Sequence, residues 1–176
     1  MPKRFILVPA LALDELAAYH QDIVASLHLY FSPSAPTFME RFAGRPLHEV
    51  NGELALRLDE SDVRSTFVAL TSLEAYFRID FDIRCRERKK DALSVHFRAV
   101  KKARKEKVRL DEDILEGWKT HGAISATLIS QLRGAFKFRH WLAHGRYWTP
   151  KHGRKYDFGY IHLVAESIIS GFPFLA

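Results

Sequence analysis

The amino-acid sequence predicts an all-α protein, an up-and-down bundle of about five or six helices with a short irregular or β-like segment near residues 44–60. Three observations predict it. Apolar residues recur every three or four positions in several segments, no long run of alternating strands is present, and no internal repeat or low-complexity linker divides the chain. With 176 residues, 47% of them hydrophobic, the chain has the material for one compact domain and a sizeable core. The bundle that carries the chemistry spans about residues 62–176, preceded by a helix and loop over 1–61.

From Leu11 to Phe31 the spacing of Leu13, Leu16, Ala17, Ile23, Leu27 and Tyr30 predicts an amphipathic helix, ended by Ser32-Pro33-Ser34-Ala35-Pro36. From there to Glu60, Gly44, Pro46 and Gly52 punctuate the pattern, and Leu54, Leu56 and Leu58 alternate as in a short strand. Asp59 or Ser61 then caps a long helix marked by Val63, Phe67, Leu70, Leu73, Tyr76 and Phe77 and continuing towards Cys85. Between Arg84 and Arg109 cations dominate, while Leu93, Phe97 and Val100 keep a narrow apolar stripe. Two readings of that stretch stand side by side: a solvated helix face with snorkelling lysines, or a surface for RNA phosphates. Asp113 and Glu116 suggest a capping box before ILEGWKTHG, and Gly122 breaks the chain. A further helix is expected from about Ile124 through Leu128, Leu132, Ala135, Phe136 and Leu142 to a stop at Gly145. After a basic turn, Asp157 caps a last apolar helix from roughly Tyr160 to Ile169.

A formal charge of +6 favours anionic partners without choosing among nucleic acid, acidic protein and anionic lipid. Cys85 is the one cysteine, which excludes an intrachain disulfide and a Cys-based zinc site and suits a reducing compartment. The opening MPKRFILVPALAL superficially resembles a signal peptide, but Pro9 interrupts it and Asp14 and Glu15 follow, so it reads as mature sequence. No apolar stretch approaches the ~20 residues of a membrane span. The expectation is a soluble, cytoplasmic protein with no membrane partner.

The segment FRHWLAHGRYW, Phe138 to Trp148, crowds strong polar groups at the end of an otherwise apolar helix. Arg139 and His144 are separated by ~140° of rotation and ~7.5 Å of rise on a helix, so both can border one cleft at an exposed helix end. A guanidinium forks onto phosphate oxygens, and an imidazole exchanges a proton near neutral pH. Together they suit phosphodiester chemistry. His140 and His144, four apart, have the spacing of metal ligands. HWLAH lacks the Glu of a HExxH zincin, however, and no third ligand is evident, so neither metal nor cofactor is expected.

Arg139-His140-Trp141-Leu142-Ala143-His144 resembles the hallmark of the HEPN family, an Arg followed after four residues by a His near the end of a bundle helix. RHWLAHGRYW, with LTSLEAYFR around Glu74 upstream, is similar to the prokaryotic branch found in defence and toxin settings. The resemblance covers roughly Asp62 onwards. It implies a metal-independent endoribonuclease in which two protomers pair so that their motifs face a shared cleft, leaving a 2′,3′-cyclic phosphate and a 5′-hydroxyl. RNA, a second copy of the chain and an antitoxin protein are the implied partners. Arg139 and His144 are the implied catalytic residues.

On the preceding helix Glu74 and Arg78 occupy the region where the family often places a further polar residue. Glu74 either orients Arg139 or His144 through an ion pair or merely stabilises its helix; Arg78 suits a surface or phosphate contact. His140 supports the pair, packs, or touches RNA. Arg146, Tyr147, Lys151 and Arg154 are RNA-binding candidates, with Lys155 beside them, and Tyr147 and Trp148 either stack on bases or seal the bundle edge. In relatives silenced by nucleotide transfer a tyrosine stands two residues after the His. Here Arg146 holds that place and Tyr147 follows, which speaks against that control. The rival function is a non-catalytic HEPN module that binds RNA, nucleotide or a partner protein.

Overall fold

The computed structural model describes residues 12–122, 124–146 and 155–175. Within them the chain is all-α, as expected, with seven α-helices and no strand among the described residues. No helix there is long and apolar enough to cross a membrane.

Helix α1 spans Leu13–Tyr30, and Glu15 reaches back to accept from the Ala12 amide at 3.3 Å, satisfying one of the donors a helix start leaves free. A short α2, Phe38–Phe42, follows. Helix α3 then runs for 41 residues, Leu47–Glu87, about 60 Å at 1.5 Å per residue. The irregular or β-like segment expected near residues 44–60 is therefore corrected: from Leu47 onward it is the first third of α3. Leu54 and Leu58 are four apart and share a half-buried helical face, while Leu56 between them is 72% exposed, so their alternation is no strand face. Gly52 costs a helix roughly 1 kcal/mol against alanine. It is offset locally by Val50, buried beside Phe31 and Phe42, and by Glu53, which binds Arg45 at 2.8 Å and Arg57 at 2.6 Å. Asp59 and Ser61 consequently lie mid-helix and cap nothing. Leu16 shares a cluster with Leu70, and Phe31 one with Val50, so α1 lies antiparallel along α3.

Arg88 leaves α3 in a left-handed conformation, φ 53°, and Asp91 caps α4, Ala92–Arg104, by accepting from the Ser94 amide. Helix α4 returns along α3: Arg98 donates to the Lys89 carbonyl at 2.7 Å, and Lys101 meets Asp82 at 2.7 Å. The capping box expected at Asp113 and Glu116 does not form. A wide, π-helical stretch occupies Leu110–Leu115, with Asp113 accepting from the Arg109 amide at 2.8 Å and Glu116 turned to Arg133 at 2.6 Å. Helix α5, Glu116–His121, closes on α4 at Gly117, where a β-carbon would lie 2.5 Å from the buried Phe97 ring.

Helices α6, Ala126–Ala143, and α7, Phe158–Gly171, complete the bundle. The expected Asp157 cap is present, accepting from the Tyr160 amide at 2.9 Å; Asp62 of α3 adds a second carboxylate, accepting from the Phe158 amide at 3.1 Å. The main core gathers Phe77, Phe81, Phe97, Trp118, Leu132, Ile168 and Phe172. Leu16, Leu70, Phe138, Tyr156 and Ile161 form a second cluster under the end of α6.

Candidate functional site at the end of helix α6

An apolar stripe of Ile129, Leu132, Ala135 and Phe138 seats α6 in the core, which leaves its last turn to present polar groups against the middle of α3. Arg139 faces α3: its Nη2 lies 3.2 Å from Glu74 Oε2 and its guanidinium is 5.8 Å from the centre of the Phe67 ring. The Glu74 side chain is 13% exposed, so the pair is partly withdrawn from water and its geometry more firmly held than that of a surface bridge. The other Glu74 oxygen accepts from Arg78 Nε at 2.7 Å. Arg78 itself is exposed. Arg139 Nε is buried and finds no acceptor among the described residues, an unused donor next to a charged pair.

His144 forms the C-cap of α6, its amide closing on the His140 carbonyl at 3.1 Å. Its side chain is exposed, as is that of His140, and the two ring centroids are 4.2 Å apart. Beyond the cap, Gly145 adopts φ 81° and Arg146 φ 57°; glycine takes that left-handed conformation freely, whereas it costs arginine roughly 1–2 kcal/mol. Arg146 gains a bidentate contact with Glu60, at 2.8 and 3.3 Å, and Glu60 also holds Arg64 at 3.1 Å.

Between α3 and this turn opens a groove of ≈330 Å³ lined by Glu60, Val63, Arg64, Phe67, Val68, Leu142 and Arg146. It has an apolar floor and guanidinium groups at its edge. Phe67 lines the groove and also faces the Arg139 guanidinium, so its ring stands between the groove and the Arg139–Glu74 pair, neither member of which lines the groove. Four guanidiniums, from Arg64, Arg78, Arg139 and Arg146, face two carboxylates, Glu60 and Glu74. The local field is positive, as an anionic ligand requires.

The structure thus brings Glu74 to Arg139, with Arg78 on the other oxygen of Glu74, and His140 to His144, while Arg146 turns to Glu60. Trp141 lies half-buried, stacked at 5.6 Å on Phe138. Tyr147, Trp148, Lys151 and Arg154 lie outside the described residues; Lys155 is exposed. Sequence reasoning missed Glu60, Val63 and Arg64 as site-lining residues. The signal was there: Glu60, Arg64 and Phe67 fall on one face once the helix is read through Gly52. It also missed Asp14, His162 and Glu166, whose ligand atoms lie within 4.8 Å of one another; none of them belongs to the α6 site.

The Glu60 bridge yields a pH prediction. The Arg146 hydrogen bond, and after it Arg64, hold the Glu60 carboxyl below its ordinary 4.5. A carboxylate depressed by folding contributes stability that is fully present above the unfolded value and is lost as pH falls through the folded one. The pair is exposed, so its contribution is at most about 1 kcal/mol. Thermal unfolding should show Glu60→Gln less stable than wild type at neutral pH, with the gap closing below pH 4.5; equal stability at neutral pH would mean that the bridge contributes nothing.

No family model matches the chain, and no curated protein and no solved structure matches it either.

Proposed function

We propose that this protein is a metal-independent endoribonuclease of the HEPN type, working as a homodimer whose two α6 ends face one cleft. The observation that carries the reading is the arrangement at that end: Arg139 held by Glu74 at 3.2 Å, with His144 exposed at the C-cap of the same helix. Attack of an RNA 2′-hydroxyl on the adjacent phosphorus needs a proton acceptor, a donor for the leaving 5′-oxygen, and cations against the charge growing on the phosphoryl oxygens. One imidazole cannot stand on both sides of the phosphorus, which is why the reading calls for two protomers. One His144 removes the 2′-hydroxyl proton, the partner copy protonates the 5′-oxygen, and the paired Arg139 groups neutralise the phosphoryl oxygens. The apolar groove beside Phe67 offers room for a base, with Arg64 and Arg146 at its edge for the neighbouring phosphate. The expected setting is a cytoplasmic toxin–antitoxin or antiphage system, with an antitoxin protein as restraint.

The test is product chemistry. Single-stranded RNA incubated with the protein and a chelator is expected to yield 2′,3′-cyclic phosphate and 5′-hydroxyl ends. The same oligonucleotide with one 2′-deoxy sugar at the cleaved position should be spared there. Cleavage that requires a divalent metal or leaves a 5′-phosphate would overturn the mechanism, and binding without cleavage would favour the non-catalytic HEPN module.

A further inference from the structure

The positive charge of this chain is segregated. Residues 84–109 hold twelve Lys and Arg against three Asp and Glu, whereas the rest of the chain holds fifteen against eighteen. The excess of the whole protein therefore lies on the end of α3, on α4 and on the turns that bound them, while the rest of the chain taken together is slightly acidic. Several of these cations have structural employment: Arg84 is buried against Asp80, and Lys101, Arg104 and Arg109 meet Asp82, Asp113 and Glu112. Arg86, Arg88, Lys90, Lys102, Lys105 and Lys107 are all exposed, and no ion pair involves them among the described residues. A helix C-terminus favours about half a unit of positive charge within its last turn. That does not account for Lys90 and Lys107, beyond the ends of α3 and α4. Arg88 and Lys105, moreover, have left-handed φ values of 53° and 55°, where glycine or asparagine ordinarily ends a helix.

We propose that this basic hairpin is an RNA-binding surface separate from the cleft, an exosite that holds the phosphate backbone of the substrate at a distance from the scissile bond. The identity of the polyanion rests on the ribonuclease reading; the site itself rests on the charge distribution. The helix that carries the cations is held in place, because Leu93 and Phe97 are buried, Arg98 ties α4 to the turn after α3 and Lys101 ties it to Asp82 of α3. Burial of that apolar face also argues against a lipid surface, since interfacial helices insert theirs. Arg86 and Arg88 lie 12 and 14 positions beyond Glu74, about 20 Å along the helix. An RNA that reaches both places must span roughly six stacked nucleotides at ~3.4 Å each.

The experiment compares the wild type with the R86Q/K102Q/K107Q triple variant and with R45Q/R57Q as a control for charge loss elsewhere. Anisotropy titrations use a ~20-nucleotide single-stranded RNA over a range of salt, and cleavage is followed on that RNA and on a ~4-nucleotide one. The triple variant is expected to bind the long RNA at least about tenfold more weakly, with the log–log salt slope shallower by about 2, three phosphate contacts at ~0.7 each. Its kcat/KM on the short RNA should match wild type, and the control should match throughout. Unchanged affinity and slope in the triple variant would overturn the proposal, as would an equal loss in the control. So would a triple variant that loses adsorption to phosphatidylserine vesicles, or capture of an acidic protein, while keeping its RNA affinity. If no RNA is cut by any variant but the slope falls as expected, the exosite stands and the catalytic reading fails.

Discussion

Replacing His144 with alanine is expected to lower RNA cleavage by about a thousandfold or more, because positioned acid–base groups contribute roughly 10²–10⁴ in rate and a homodimer made from the variant loses acid and base together. Arg139→Ala should cost roughly 10²–10³, the size of effect seen when one donor to a developing oxyanion is removed. Folding should be spared in both cases, since His144 is exposed and Arg139 is only partly buried. Glu74→Gln keeps the shape of the side chain but not the charge that orients Arg139 at 3.2 Å; a loss smaller than that of Arg139→Ala, appearing in kcat, is the mark of a positioning residue. Mixed dimers sharpen the result. With wild-type and His144→Ala chains exchanged in equal amounts, only about a quarter of the dimers hold two imidazoles, so activity should fall to about a quarter if the cleft is composite and about a half if each protomer works alone. Full activity in the His144→Ala protein would end the assignment.

The end of α6 was legible in the sequence because its chemistry runs against its surroundings. Arg139 and His144 interrupt an apolar helix that packing alone would have left apolar, and Gly145 marks the stop. Asp157 was legible for a similar local reason, since an acidic residue before an apolar run is a cap whatever the rest of the chain does. The start of α3 was not. Pro46, Gly52 and the alternation of Leu54, Leu56 and Leu58 all read locally as breaks. What overrides them is tertiary: Val50 is buried against Phe31 and Phe42, residues of the preceding loop and helix. The groove was hidden with it, because Val63 and Phe67 read as core when their partner, Leu142, is unknown. Whether two protomers meet there is a property of surfaces that periodicity does not report.

Asp80 and Arg84 are a further case, and they carry the largest expected effect on stability. In DFDIRCR, Asp80 falls on the long helix and Arg84 opens the cation-rich stretch, and nothing in the spacing marks the two as a buried pair, yet the Asp80 side chain is 0% exposed and that of Arg84 7%. The pair is buried because the C-terminal tail folds over it: the Leu175 amide donates to Asp80 at 2.9 Å, and Arg84 donates to the Pro173 carbonyl at 2.7 Å. Arg84 also lies 5.0 Å above the Trp118 ring. Burial pushes the Asp80 carboxyl above its ordinary range, and the Leu175 and Arg84 hydrogen bonds only partly oppose it. The charged pair is thus expensive to hold, but breaking it is worse. Asp80→Ala takes from Arg84 its fully buried partner, leaving it the longer ion-pair contact with the exposed Asp91 at 3.3 Å, and strands the Leu175 amide; it should destabilise the protein by about 3 kcal/mol, the low end of what breaking a buried ion pair costs. At roughly 2–4 °C per kcal/mol for a chain of this size, the melting temperature should fall by at least ~6 °C. Asp80→Leu combined with Arg84→Met removes both charges, and in urea unfolding it should be more stable than either single variant. An Asp80→Ala protein within about 1 kcal/mol of wild type would place the pair in water instead of beneath the tail.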